Sequence, residues 1–120
     1  MKANQLIVNI TSENADELKR FYKDIVQLEP DPNIGEDGAF KVGDAAFVID
    51  GHSDVRGRAK EPARALINFM VDDIASEEQR LKDAGVNVVR SQGKEFWGGI
   101  ISTFEDPDGN YFQMIEYRPE

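Results

Sequence analysis

Polar and apolar positions alternate from Gln5 to Ile10. Leu6, Val8 and Ile10 fall on one side and Gln5, Ile7 and Asn9 on the other, which predicts a half-buried strand. The period then changes. Ala15, Leu18, Phe21, Tyr22 and Ile25 recur at helical spacing behind the polar cluster Ser12-Glu13-Asn14, and Asn14 with Glu17 has the form of a capping box. A helix is therefore predicted from Ala15 to Val26, with Pro30 and Pro32 ending it and setting an extended continuation. Between Asn33 and Asp50, Gly35, Gly38 and Gly43-Asp44 punctuate two or three short strands, of which Ala45–Asp50 is the clearest. Gly51 to Pro62, GHSDVRGRAKEP, is charged and has no period, so a mobile loop is expected there.

The second half repeats the sequence of periods. Ala63–Val71 reads as a strand with Ile67, Phe69 and Val71 on one face and Leu66, Asn68 and Met70 on the other. Asp72-Asp73 caps a second helix whose narrow apolar stripe is Ile74, Leu81 and Ala84, and Gly85 stands where a helix stops. Val86–Ser91 reads as a strand, Gln92-Gly93-Lys94 as a turn, and Trp97–Phe104 as a further strand containing Gly98-Gly99. In Asp106-Pro107-Asp108-Gly109-Asn110, Pro107 presets φ while Gly109 and Asn110 tolerate left-handed backbone, so a turn leads into the final strand Tyr111–Tyr117. On that strand Gln113 and Ile115 face one way, Phe112 and Met114 the other.

The order is β-α-β-β-β twice. Leu6–Ile10 answers Ile67–Val71, Lys23-Asp24 answers Lys82-Asp83, and Phe47–Asp50 answers Gln113–Glu116. The expected fold is α+β: one domain spanning 1–120, made of a module at about 5–50, the loop 51–62 and a module at about 63–117. Each module would lay a helix on the outer face of a mixed sheet, and the opposite faces would form a cup, a usual place for a ligand.

Composition narrows the function classes. With 14 basic and 23 acidic residues the net charge is −9, which argues against nucleic acid and anionic membrane as partners and leans towards a neutral or cationic small molecule. The absence of cysteine removes disulfides, thiolate catalysis and Cys-based metal sites. No stretch reaches the apolar length of a membrane span, and the N-terminal residues do not read as a signal peptide, so the expected location is the cytoplasm. The single histidine, His52, lies in the loop and reads as an ordinary exposed side chain. The acidic groups Glu13, Asp16, Glu17 and Glu77, Glu78 read as solvated helix faces. No nucleophile stands beside a base, and no glycine loop has phosphate-binding spacing.

Leu18–Tyr22 after the first strand, Asn68–Ile74 at a strand-to-helix join, Phe96–Gly99, and Phe104–Asn110 together resemble the vicinal-oxygen-chelate superfamily, the glyoxalase, bleomycin-resistance and extradiol-dioxygenase group. The resemblance covers roughly Gln5 to Tyr117. It implies paired βαβββ modules in a cupped sheet, commonly assembled as a homodimer. It also implies a divalent metal held by His, Glu or Gln near the start of each module's first strand and on its last strand. Those positions fall on Gln5, Phe47, Leu66 and Gln113. Two neutral amides beside a leucine and a phenylalanine make a poor site for zinc, iron or nickel, so no metal cofactor is expected.

The expected site is a polar-lined pocket: Gln5, Asn9, Asn68 and Gln113 supply its amides, and Ile7, Phe47, Leu66 and Met70 its apolar part. Trp97, before Gly98-Gly99, is placed either in the core or as an aromatic wall. The expected function is the binding of a small organic molecule, in a homodimer whose second copy covers sheet edges. The alternative is a metal-dependent glyoxalase-like lyase or isomerase, or a dioxygenase-related enzyme.

Overall fold

The computed structural model describes residues 1–118. It divides into two compact units, Met1–Gly57 and the chain from Arg58 onward. No helix among the described residues is long and apolar enough to cross a membrane.

In the first unit, β1 (Ile7–Ser12), β2 (Glu29–Pro30), β3 (Ala39–Val42) and β4 (Ala45–Gly51) form one sheet in the order β1-β4-β3-β2, with β1 and β4 parallel. The helix is α-helical over α1 (Ala15–Arg20) and then widens to a π-helical turn over Phe21–Ile25. There Val26 N–H reaches back to Phe21 C=O at 3.0 Å. The predicted capping box does not form. Asn14 makes no side-chain cap bond, and its own N–H, to which Glu17 would reach back, goes to Ser12 Oγ at 2.9 Å. The helix ends at Gln27, a non-glycine residue in left-handed backbone at φ 69°. The helix buries its own Leu18 and Tyr22 above Phe40, Phe47 and Ile49 of the sheet, with Tyr22 edge-on to Phe47 at 4.9 Å.

The second unit has the same order of connections. β5 (Ile67–Met70), α2 (Ile74–Asp83), β6 (Asn87–Lys94), β7 (Gly99–Glu105) and β8 (Tyr111–Tyr117) give a sheet ordered β5-β8-β7-β6, again with first and last strands parallel. Before β5, Pro62–Arg64 is a 3-10 turn, so the strand is shorter than the alternation suggested. Asp73 caps α2 by accepting from Ser76 N–H at 3.1 Å, and Gly85 closes it at φ 82°. The core face stacks Phe104 on Phe112 (5.6 Å) and sets Phe69 edge-on to Phe112, beside buried Ile74, Leu81 and Met114.

Two expectations fail in this unit for one reason. Glu78 is buried rather than solvated, and its carboxylate accepts from Gln92 N–H (3.0 Å) and Gln92 Nε2 (2.7 Å). Gln92-Gly93-Lys94 is consequently strand, not turn. Irregularities between Val88 and Gly93 swing the Gln92 amide out of the ladder, and Glu78 satisfies it. The turn falls later, at Glu95–Gly98, closed by Gly98 N–H to Glu95 C=O at 3.1 Å.

A candidate ligand-binding face

The face of the second sheet turned away from α2 is built by register. The turn at Asp106–Asn110 pairs Glu105 with Tyr111, and the ladder then runs without a break, bringing Thr103 opposite Gln113, Ile101 opposite Ile115 and Gly99 opposite Tyr117. On the other flank of β8, Asn68 pairs with Gln113 and Met70 with Ile115. Paired residues share a face, so three rungs cross the sheet about 7 Å apart. One is polar (Asn68, Gln113, Thr103), the next apolar (Met70, Ile115, Ile101), the third aromatic (Tyr117 with Gly99).

The polar rung is a hydrogen-bonded relay. Thr103 Oγ1 donates to Gln113 Oε1 at 2.8 Å, Gln113 Nε2 donates to Asn68 Oδ1 at 2.7 Å, and Asn68 Nδ2 points to Leu66 C=O at 3.5 Å. Thr103 is buried and Asn68 exposed, so the relay runs from the interior to solvent. At the aromatic rung the Trp97 ring lies where a Cβ on Gly99 would stand, and it stacks with Tyr117 at 6.3 Å and 23°. Trp97 remains 43% exposed and Tyr117 52%, which leaves ring surface available.

Of the sequence-predicted residues, Asn68, Met70, Gln113 and Trp97 come together on this face, with Leu66 exposed just before β5. Ile7 and Asn9 occupy the corresponding helix-distal face of the first sheet, and both are exposed. Gln5 precedes β1 and bonds to Asp44 C=O at 3.4 Å. Phe47 is elsewhere: 3% exposed, it packs under the first helix against Tyr22. The repeat had set Phe47 against Gln113, but the sheet places Ala46 and Val48 on the distal face of β4, and a slip of one residue reverses a strand's faces. Thr103, Ile101, Gly99 and Tyr117 were missed. Counting outward from Asp106–Asn110 with Glu105 opposite Tyr111 would have found them.

The residues do not suit the metal of the fold family. Gln113 Oε1 already accepts from Thr103, Leu66 and Phe47 offer no donor atom, and no three His, Asp or Glu side chains converge among the described residues. His52 is exposed and its Nδ1 accepts from Asp54 N–H at 3.1 Å. The perturbed carboxyl, Glu116, faces the helix instead. The N–H of Ile74 at the start of α2, 2.9 Å away, holds its pKa below the ordinary value against the opposing effect of burial, and Arg118 assists.

The family model for the Glyoxalase/Bleomycin resistance protein/Dioxygenase superfamily matches residues 5–114. Similar solved structures include a member of that superfamily from Sphaerobacter thermophilus DSM 20745, 20% identical, covering 97% of this chain and 98% of its own, with TM-score 0.73. TnmS3, an antibiotic binding protein from Streptomyces sp. CB03234, is 20% identical over 98% of both chains with TM-score 0.70. Lactoylglutathione lyase from Agrobacterium tumefaciens is 19% identical over 92% of this chain and 91% of its own, with TM-score 0.69. No protein of curated function matches the sequence. The chain belongs to the Glyoxalase/Bleomycin resistance protein/Dioxygenase superfamily.

Proposed function

We propose that this superfamily member holds a small organic molecule on the helix-distal face of its second sheet and does so without a catalytic metal. The observation that carries the reading is the set of three rungs. Hydrogen-bonding groups, an apolar strip and a stacked aromatic pair follow one another on a face whose Asn68, Met70, Trp97 and Tyr117 are exposed. The commitment of Gln113 to Thr103 and Asn68 supports a binding role over metal ligation at that strand position. The rungs carry no ionised side chain, so the net charge of −9 gives no bias towards a cation at the face itself. The antibiotic binding protein TnmS3 has the same fold, which is compatible with this reading.

Trp97 is the single tryptophan and so reports directly on the face. Screening aromatic small molecules, antibiotics included, should give saturable quenching of its fluorescence and a matching thermal stabilisation. In Trp97→Ala the stabilisation should fall by most of its value while the unliganded melting temperature changes little. Hits that stabilise both proteins equally would remove the support. Stoichiometric divalent metal in the purified protein, together with lyase turnover, would replace binding by catalysis.

The reading includes a homodimer. β1 and β5 are edge strands of their own sheets, and a second copy offers cover for such edges. Light scattering at micromolar concentration should return about twice the chain mass; a monomer across a wide concentration range would refute it.

A further inference from the structure

We propose that Arg90 is a specificity-determining cation at the edge of the candidate face. The face then takes a planar aromatic carboxylate, whose acid group replaces Glu95 on the Arg90 guanidinium. This rests on the binding role proposed above.

The three rungs stop at β7, but β6 adds a fourth strand to the same face. It sets Arg90 beside Thr103 and Gly93 beside Ile101. Residues three apart in a regular strand point to opposite faces; the irregularity that turns Gln92 towards Glu78 brings Arg90 and Gly93 to one side. The guanidinium fills the room that Gly93 leaves, with Nη2 2.8 Å from where a Cβ would stand. Gly93 thus seats Arg90 as Gly99 seats Trp97, one rung or about 7 Å further along the strands. That spacing suits a carboxylate carried directly on an aromatic ring, with the acid at Arg90 and the ring at Trp97 and Tyr117. In the unliganded protein Glu95 takes the acid's place, its Oε1 2.8 Å from Arg90 Nη1. Both side chains are partly exposed, so water screens the pair and exchange for another carboxylate costs little. A guanidinium has five N–H and one carboxylate takes two of them in fork geometry, so donors remain for an incoming acid. Glu105, the carboxylate on this face of β7, is engaged by Arg58 and by Asn87 Nδ2 at 3.3 Å. The net charge of −9 repels an anion at long range, but charges more than about 8 Å away are screened at physiological salt, and the Arg90 contact lies inside that distance.

Three probes test this by calorimetric titration of the full chain at low salt: 2-naphthoate, its neutral isostere 2-acetylnaphthalene and the cation 2-naphthylmethylammonium. The wild type should bind the naphthoate about tenfold more tightly than the acetyl compound, as a charge-assisted pair gives once Glu95 is displaced, and the cation no better than the acetyl compound. The two members of the ion pair should then act in opposite directions. Arg90→Gln should cut the naphthoate preference below about twofold with the acetyl affinity unchanged, whereas Glu95→Gln, by removing the competitor, should raise naphthoate affinity about threefold. A pair that only holds the hairpin in shape would make both substitutions weaken every probe alike, and that result overturns the proposal. Equal binding of naphthoate and acetyl compound by the wild type, a preference for the cation, or a naphthoate preference that survives in Arg90→Gln overturns it too and leaves the binding face standing. Binding of none of the three overturns both. If Arg90→Gln melts early, Glu95→Gln decides: no gain in naphthoate affinity there overturns the exchange.

Discussion

On the first sheet the helix-distal positions are Ile7 and Asn9 of β1 beside Ala46 and Val48 of β4; on the second they are Asn68 and Met70 of β5 beside Gln113, Ile115 and Tyr117 of β8. The sheet orders are the same, and so are the parallel pairings of first and last strands. The chemistry is not. Asn9 lies next to valine, where Asn68 lies next to glutamine and through it reaches a buried threonine. Small Ala46 and Ala39 hold the middle of the first sheet, whereas the second carries an aromatic pair seated on a glycine. A repeat in the chain therefore fixes the scaffold twice and the candidate site once.

The widest separation between a core face and a helix-distal face is expected between Phe47 of β4 and Met70 of β5. Truncation by Phe47→Ala removes a ring packed on Tyr22 and should cost about 3–5 kcal/mol in chemical denaturation, as large-to-small core changes do. Met70→Ala, at an exposed position, should stay within about 0.5 kcal/mol. If the two costs were alike, the assignment of Phe47 to the core rather than to a ligand would fail. The asparagines sharpen the contrast between modules. For a ligand found by Trp97 quenching, Asn68→Ala should weaken binding about fivefold, and Asn9→Ala should leave it within about twofold. Equal losses would mean that both sheets contact the ligand.

The smallest effect concerns the helices. Glu116 caps α2 through Ile74 N–H, whereas Asn14 makes no side-chain bond to α1. Because its pKa is lowered in the folded protein, the stabilisation from Glu116 is fully present above the ordinary value of 4.5 and is lost as pH falls through the folded value. The melting-temperature gap between wild type and Glu116→Gln should be widest near neutrality and close in acid. A gap independent of pH would show that the carboxylate charge contributes nothing.

Much of the fold was legible because periodicity is a local property. The switch from alternation at Gln5–Ile10 to helical spacing at Ala15–Ile25, and its recurrence at Ala63–Val71 and Ile74–Ala84, give both modules without any knowledge of contacts. What misled were places where a distant side chain decides the backbone. Glu78 straightens Gln92–Lys94 into strand from fourteen residues away, and Ser12 takes the amide that a capping box would have used. Asn68, Met70 and Gln113 could be proposed from alternation, and Trp97 from its place before Gly98-Gly99. Tyr117 shares its parity with Gln113, and Thr103 with Trp97, so alternation places both on the face, but their partners follow only from which residue stands opposite; the sequence-based pairing of the halves put Phe47 on the wrong side by one position.

The Asp106 turn has a bearing on how such a protein can change. Its carboxylate accepts from Asp108 N–H, Asn110 N–H and Asn110 Nδ2, with Gly109 at φ 79°, so the number of residues between the two strands is held by the turn's own bonding. That number works like a reading frame. Every cross-strand neighbour on the face, from Thr103 with Gln113 to Gly99 with Tyr117, is indexed from it. Losing one residue from the turn would bring Gln113 opposite an even-numbered position such as Ser102 or Phe104, whose side chains belong to the core face. Sequence drift can therefore alter the rungs one side chain at a time, but length drift at this turn would exchange the lining of the site for the lining of the core.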